Sequence, residues 1–387
     1  GHPPTMPTGS RLFMWVPSRS TSPILREGFH KVPGRSPGGN RPFPRGKTSP
    51  LQPGRRPRLV HGQIGNTIHP EDQAQAAEIA MQYVVTGGAG FIGSYLVESL
   101  SLAGHELTVI DDLSTGRLEN IGSVSANPRV RFVQGTVLDL ALLLEEFRGM
   151  DGVFHQAAFV SVPGSIQHPL QNHEVTLTGT LNVLLAARDM GVKKVVHASS
   201  AAVYGNLPGI PKSEDMPVEP LSPYAVAKYA GEQYCRVLGL LYDLPTVSLR
   251  YFNVYGARQD PRSDYAAVIP RFIANLRAGK PPVIYGDGTQ TRDFVYVRDV
   301  VRANILAMET GAEGVYNIGS GKETSVNELG AILMKLLGYR GEPVHTDGMP
   351  GEVRHSVADI SRARSLLGWE PAFSLEAGLS DTLASLE

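Results

Sequence analysis

A single cysteine, Cys235, is all the thiol chemistry that this 387-residue chain carries. An intrachain disulfide is therefore impossible, and a cysteine-rich zinc site is excluded. Charge of one sign is lacking too: 36 Lys and Arg meet 37 Asp and Glu, a net charge of −1. Such a balance gives no broad attraction for nucleic acid or for an anionic membrane. No apolar run approaches the roughly 18 uninterrupted residues that cross a bilayer. His168, His173, His345 and His355 show no metal-ligand spacing, so no metal is expected. His155 and His197 sit at the ends of apolar runs and Cys235 sits inside a helical pattern; packing is the expected role of all three. No internal repeat is visible. What remains is an ordinary globular composition, 42% hydrophobic and 19% charged, long enough for a large core or for one domain plus a smaller one. A cytoplasmic protein is expected.

Residues 1–80 lack any sustained apolar period. They are rich in Pro, Arg, Gly and Ser, as in Pro33-Gly34-Arg35-Ser36-Pro37, and bury too little surface to offset the entropy of ordering. The expectation is a disordered extension or an upstream start, with Met81 as a natural initiator. An Arg-rich, acid-poor start resembles a transit peptide, but Pro at this density opposes the amphipathic helix such peptides need. From Met81 the pattern becomes regular. Strands are expected at 81–86, 107–110, 130–133, 152–155, 194–198 and 246–250, with helices from Phe91 to Ala103, from about Glu174 to Met190, and at Tyr224. Apolar strands alternating with helices predict an α/β fold, a doubly wound (Rossmann) parallel sheet with its site at the strand C-termini. The expected dinucleotide domain covers 81–252. A smaller C-terminal substrate-binding lobe covers 253–387, with Phe294–Val297 returning to the sheet.

Two motifs carry chemistry. Gly87, Gly90 and Gly93 follow the first strand and open a helix, which suits a tight turn, close approach of backbone to pyrophosphate, and helix packing. Asp111 ends the second strand about twenty residues on, where a ribose hydroxyl is bound. With Asp112 it would repel a 2′-phosphate, so NAD is expected over NADP. The second motif is Tyr224-x-x-x-Lys228, behind Ser222 as cap and Pro223 in the first turn. Four residues apart on a helix, phenol and ammonium share a face, and a cation beside a phenol favours the phenolate. Taken alone, that spacing also fits an amphipathic helix with two surface residues.

Glycine triplet and Tyr-x-x-x-Lys together resemble the extended short-chain dehydrogenase/reductase family, from about residue 81 onward. Within it the chain is most similar to UDP-hexose 4-epimerases. The carriers are Ser199–Gly205, Leu249–Gly256, and Gly286-Asp287-Gly288 with Arg292-Asp293-Phe294. Ser161-Val162-Pro163, Arg258–Pro261 with Tyr265–Pro270, and Gly351–Ser356 look like the enzymes that interconvert UDP-GlcNAc and UDP-GalNAc. The resemblance implies Ser200, Tyr224 and Lys228 as catalytic residues. It implies Gly87, Gly90, Phe91, Ile92, Gly93, Asp111, Val137, Gln156, Ala157, Ala158 and Tyr251 around NAD, with Tyr224 and Lys228. Ser161, Asn253, Arg258, Arg292 and Ser356 would face the substrate.

On this resemblance Tyr224 takes the C4 hydroxyl proton while hydride passes to NAD, and the keto sugar turns over before recovering it. Strict UDP-glucose epimerases carry Tyr at the place of Ser356; a small residue there also admits a 2-acetamido group. Ala201 and Ala202 stand where dehydratases and decarboxylases carry acids, so elimination is disfavoured. Four positions depart from the family: Thr136 for Asp, Gly164 for Arg, Thr176 for Asn and Met349 for a diphosphate-binding Arg. Losing that Arg removes a contact worth roughly 1.5–3 kcal/mol, with Arg354 as the candidate to compensate. The alternatives are a UDP-glucose/UDP-galactose 4-epimerase and, further off, a non-catalytic NAD-responsive binding protein. A homodimer through helices near 174–190 and 222–241 is the family's usual assembly.

Overall fold

The computed structural model describes residues 80–260, 267–348 and 353–386, and its strands begin where the sequence turns apolar. The extension expected over 1–80 falls outside the described residues apart from Ala80. So do Tyr265, Ala266, Met349, Pro350, Gly351 and Glu352.

β1 (Gln82–Thr86) runs through the glycine turn into α1 (Phe91–Leu102) and β2 (Glu106–Asp111). β3 (Val130–Gln134), α2 (Leu140–Glu146) and β4 (Gly152–His155) follow. α3 (Val162–Gln167) and α4 (Pro169–Asn172) lead through a wide turn, His173–Thr178, into α5 (Gly179–Met190). The helix expected from Glu174 thus starts earlier, with Pro169 in a first turn that tolerates its missing N–H. Next come β5 (Lys194–Ser200), α6 (Pro223–Tyr242) and β6 (Thr246–Tyr251). The remainder is β7 (Asn253–Tyr255), α7 (Val268–Arg277), β8 (Val283–Tyr285), β9 (Thr291–Arg292), β10 (Phe294–Tyr296), α8 (Val297–Glu309), β11 (Gly314–Ile318), β12 (Thr324–Ser325), α9 (Val326–Leu336), β13 (Val344–Thr346) and α10 (Leu375–Ala384).

Seven strands form one parallel sheet in the order β11-β6-β5-β4-β1-β2-β3. Alternate strand residues feed two cores: Val85 and Val109 pack toward α1 and α8, Val84 and Ile110 toward α2, α5 and α6. Burial on both faces explains why the central strands β1, β2 and β4 are dominated by apolar residues. Winding reverses between β1 and β4, and a crevice opens there beyond the strand ends.

The late chain differs from expectation. Phe294–Tyr296 does not return to this sheet; β10 pairs with β7 in a separate two-stranded ribbon. The returning strand is β11, parallel to β6. Its Asn317 is buried, yet the side chain is satisfied: Nδ2 donates to Lys212 O at 2.8 Å, and Oδ1 accepts from the Tyr204 hydroxyl at 2.7 Å. Among the described residues no helix is long and apolar enough to cross a membrane, and no cluster of His, Cys, Asp and Glu could hold a metal.

Candidate active site

The crevice is built by backbone that no side chain could replace. Gly87 sits at φ +69°, and a Cβ there would lie 2.7 Å from the Ala157 nitrogen on the strand-end segment after β4. Gly90 caps α1 with no side-chain hydrogen bond, so the first-turn N–H groups of α1 stay available to an anion. A Cβ on Gly93 would strike the Gly87 carbonyl. Phe91 and Ile92 are half-buried in the same turn. Asp111 closes β2 with Oδ2 accepting from Ala89 N and Oδ1 from Leu113 N, both at 2.9 Å. Burial raises its carboxyl, against those amide bonds. Val137 is buried against Gly179, Ala157 is half-buried beside Gly87, and Ala158 is half-buried. Narrow turn, free helix terminus and buried acid fit a dinucleotide.

Gln156 and Tyr251 have additional partners that the sequence did not suggest. Asn304 of α8 donates from Nδ2 to the Tyr251 oxygen at 2.8 Å, Tyr251 donates to Gln156 Oε1 at 3.2 Å, and Gln156 Nε2 returns to Asn304 Oδ1 at 2.9 Å. The ring of three polar side chains braces β4 and β6 against α8.

α6 positions the second motif. The Ser222 hydroxyl accepts from Ala225 N at 3.2 Å, and Pro223 fills the first turn. Tyr224 is half-buried, and its amide donates to Ser165 Oγ at 3.1 Å. Lys228 is 4% exposed; its Nζ donates to Ala198 O at 2.6 Å and lies 6.0 Å from the centre of the Tyr224 ring. Ser200 ends β5, accepts from Ala202 N at 3.2 Å, and hydrogen-bonds the Tyr224 side chain. Burial holds the Tyr224 phenol above its ordinary value, and the Ser200 bond works the other way. Burial outweighs the expected pull of Lys228 toward phenolate, and the ammonium itself donates to the Ala198 carbonyl. Burial brings Lys228 itself down to about 8, against the charge of Glu232. Behind it, His155 bridges Thr86 and Thr180 at 2.8 and 2.9 Å, and burial pushes its imidazole down to about 3.

β7 continues directly from β6, whose Tyr251 is paired in register with Ser200. Asn253 therefore stands two residues, about 7 Å, beyond that pairing. It joins Arg292 in lining a cavity of about 250 Å³. Sequence reasoning missed two others there: Arg271 donates to the Tyr285 hydroxyl at 3.0 Å and lies 5.1 Å from its ring centre. Only their positions beside Pro270 and Gly286 hinted at a role.

Arg258 stands apart from Asn253 and Arg292. It is not among the residues lining the cavity; its guanidinium lies against α1, donating to Glu98 at 2.7 Å and Ser94 at 3.2 Å and stacking 4.2 Å from the Tyr95 ring centre. Ser161 serves as cap of α3, accepting from Gly164 N at 2.9 Å. A Cβ on Gly164 would meet that hydroxyl at 2.8 Å, so the Arg expected there does not fit this cap. Thr176 accepts from Phe159 N at 3.0 Å, so it is engaged behind the crevice. Ser356 is half-buried beside Val357, whose carbonyl accepts from Lys212 N at 2.8 Å. Arg354 is exposed and pairs with Asp287 at 3.3 Å.

The family model described as NAD dependent epimerase/dehydratase matches residues 83–319. A putative UDP-glucose 4-epimerase of Methanocaldococcus jannaschii is 43% identical over 298 residues, 76% of this chain and 95% of its own. A UDP-N-acetylglucosamine 4-epimerase of Methanobrevibacter ruminantium, solved with UDP-N-acetylmuramic acid, superposes with a TM-score of 0.76 at 40% identity, over 79% of this chain and 97% of that one. A Thermotoga maritima UDP-glucose 4-epimerase solved with UDP-glucose gives 0.75 at 40% identity, over 79% and 100%.

Proposed function

The chain belongs to the NAD-dependent epimerase/dehydratase family, and on that premise we propose that it inverts C4 of a UDP-hexose, with UDP-GlcNAc and UDP-GalNAc as its pair. The supporting observation is the set of Ser200, Tyr224 and Lys228 gathered where β5 meets α6. NAD, when bound, supplies the hydride acceptor and donor for C4 and a positive ring charge near the phenol. Gly87 and the α1 N-terminus would hold its pyrophosphate, and Asp111 a ribose. Tyr224 removes the proton of the C4 hydroxyl and returns it after inversion. Ser200 bridges the phenol and the C4 oxygen. Lys228 keeps a positive charge at the site below about pH 8. Asn253 and Arg292, which line the cavity, anchor the diphosphate. Ala201 and Ala202 can move no proton, which favours epimerisation over elimination.

Ser356 supports acetamido sugars as substrates. UDP-glucose/UDP-galactose exchange is the second reading, favoured by the Thermotoga relative solved with UDP-glucose. A binding protein without chemistry has no need for all three of Ser200, Tyr224 and Lys228. Two copies would pair through α6, which exposes Val226, Val237, Leu240 and Leu241, and through Ile166 and Leu170 of α3 and α4. Incubation of the purified protein with UDP-GlcNAc, UDP-glucose and their C4 epimers, without added reductant, tests the reading. Tyr224→Phe should lose turnover and keep its NAD; unchanged turnover would remove Tyr224 as the base.

A further inference from the structure

α6 carries a third polar residue on the Tyr224–Lys228 face. Glu232 follows Lys228 by one turn and is fully buried, with a side-chain exposure of 0%. Its Oε1 accepts from Ser199 Oγ at 2.5 Å and from Arg250 Nε at 2.9 Å; Oε2 accepts from Arg250 Nη2 at 2.7 Å. Arg250 of β6 is paired in register with Ser199 and lies 4.8 Å from the Tyr204 ring centre. Three consecutive residues at the end of β5 are thus each tied to one turn of α6. Ala198 takes the Lys228 ammonium, Ser199 gives its hydroxyl to Glu232, and Ser200 bonds Tyr224.

We propose that Glu232, braced by Arg250, is a positioning residue that sets Ser200 in register with Tyr224 through its bond to Ser199. The inference rests on the epimerase reading. A buried ion pair is an unfavourable way to gain stability alone, because two charges must leave water. What this pair provides is direction: the bidentate fork fixes the carboxylate's plane, and that plane fixes the Ser199 hydroxyl one residue from Ser200. Displacement of reacting groups by about 1 Å can cost a hundredfold in rate.

Around Lys228 the facing titratable groups are Tyr224, Glu232 and Cys235 on α6, His155 on β4 and His197 on β5. Tyr251 on β6 faces Tyr224. Both imidazoles are held neutral by burial, so Glu232 is the anion that opposes the loss of the Lys228 proton.

Glu232→Gln is the direct variant, but it leaves Arg250 uncompensated and can fail to fold. Ser199→Ala keeps the ion pair and cuts only the link to β5. It should lower kcat by about ten- to a hundredfold with KM and bound NAD unchanged, while Tm falls for the lost bond to a buried carboxylate, and Ser199→Thr should restore kcat. In the same variant the ionisation of Tyr224, read by ultraviolet difference absorbance against Tyr224→Phe, should move to higher pH as the Ser200 bond slackens. Wild-type kcat together with an unmoved phenol titration in Ser199→Ala would overturn the proposal. If the wild-type protein turns over no UDP-hexose, the epimerase reading fails, and the titration still decides the role of Glu232.

Discussion

Lys228→Met should make this protein more stable while removing its chemistry. Lys228 is almost wholly buried, and its pKa falls from 10.5 to about 8, chiefly by burial. A tenfold change in proton affinity corresponds to about 1.4 kcal/mol, so keeping the side chain charged in the fold costs about 3 kcal/mol at neutral pH. Methionine of similar reach removes that cost but also the bond to the Ala198 carbonyl, worth about 1 kcal/mol. The net gain is about 2 kcal/mol at pH 7. Its pH dependence has a definite sign. Between about pH 8 and 10.5 the unfolded chain keeps a proton that the native lysine has lost. Wild-type stability therefore rises with pH across that window, relative to the variant, and the gap narrows. Urea midpoints of both proteins, stripped of nucleotide, at pH 7 and pH 10 provide the measurement. A variant less stable than wild type at pH 7, or a difference indifferent to pH, would refute the account of burial as the dominant cause.

Three further outcomes are expected. Gly87→Ala, at φ +69° with its Cβ 2.7 Å from Ala157 N, should destabilise by about 2 kcal/mol or more; it should also purify without NAD, read from absorbance and Tm. Ser356→Tyr should cut turnover of acetamido sugars about tenfold or more while sparing UDP-glucose, and an equal loss for both would contradict the gate. Leu240→Glu with Leu241→Glu should convert a dimer to monomers in sedimentation velocity, and a wild-type monomer at micromolar concentration would remove that interface.

The first six strands were legible because each carries a short cluster of apolar residues that enters one of the two cores, even where Arg131, Ser248 and Arg250 interrupt it. β11 was not: it follows a loosened, loop-rich stretch, and the partners of its Asn317, Lys212 and Tyr204, lie far away in sequence. Arg258 illustrates the same limit: a loop arginine carries no period, and its partner Glu98 is separated by 160 positions. Tyr224 and Lys228 could be read because helix spacing fixes them locally, and Ser200 because Ser199–Gly205 resembles the family's strand-end motif. Glu232 shares that spacing, but its meaning depends on Arg250, which only strand pairing brings near. The upward shift of the Tyr224 phenol was not legible because its cause is burial, which the sequence does not show.

The seventh strand has a consequence for synthesis. β6 ends at Tyr251, but β11 begins only at Gly314, so a nascent chain must wait for a long intervening stretch before that flank of the sheet is covered. Until then β6 offers bare amides and carbonyls alongside Val247 and Leu249, a ready template for a neighbouring copy. Chains that stall or are cut before Gly314 should therefore clump, while full-length ones close the gap with their own tail.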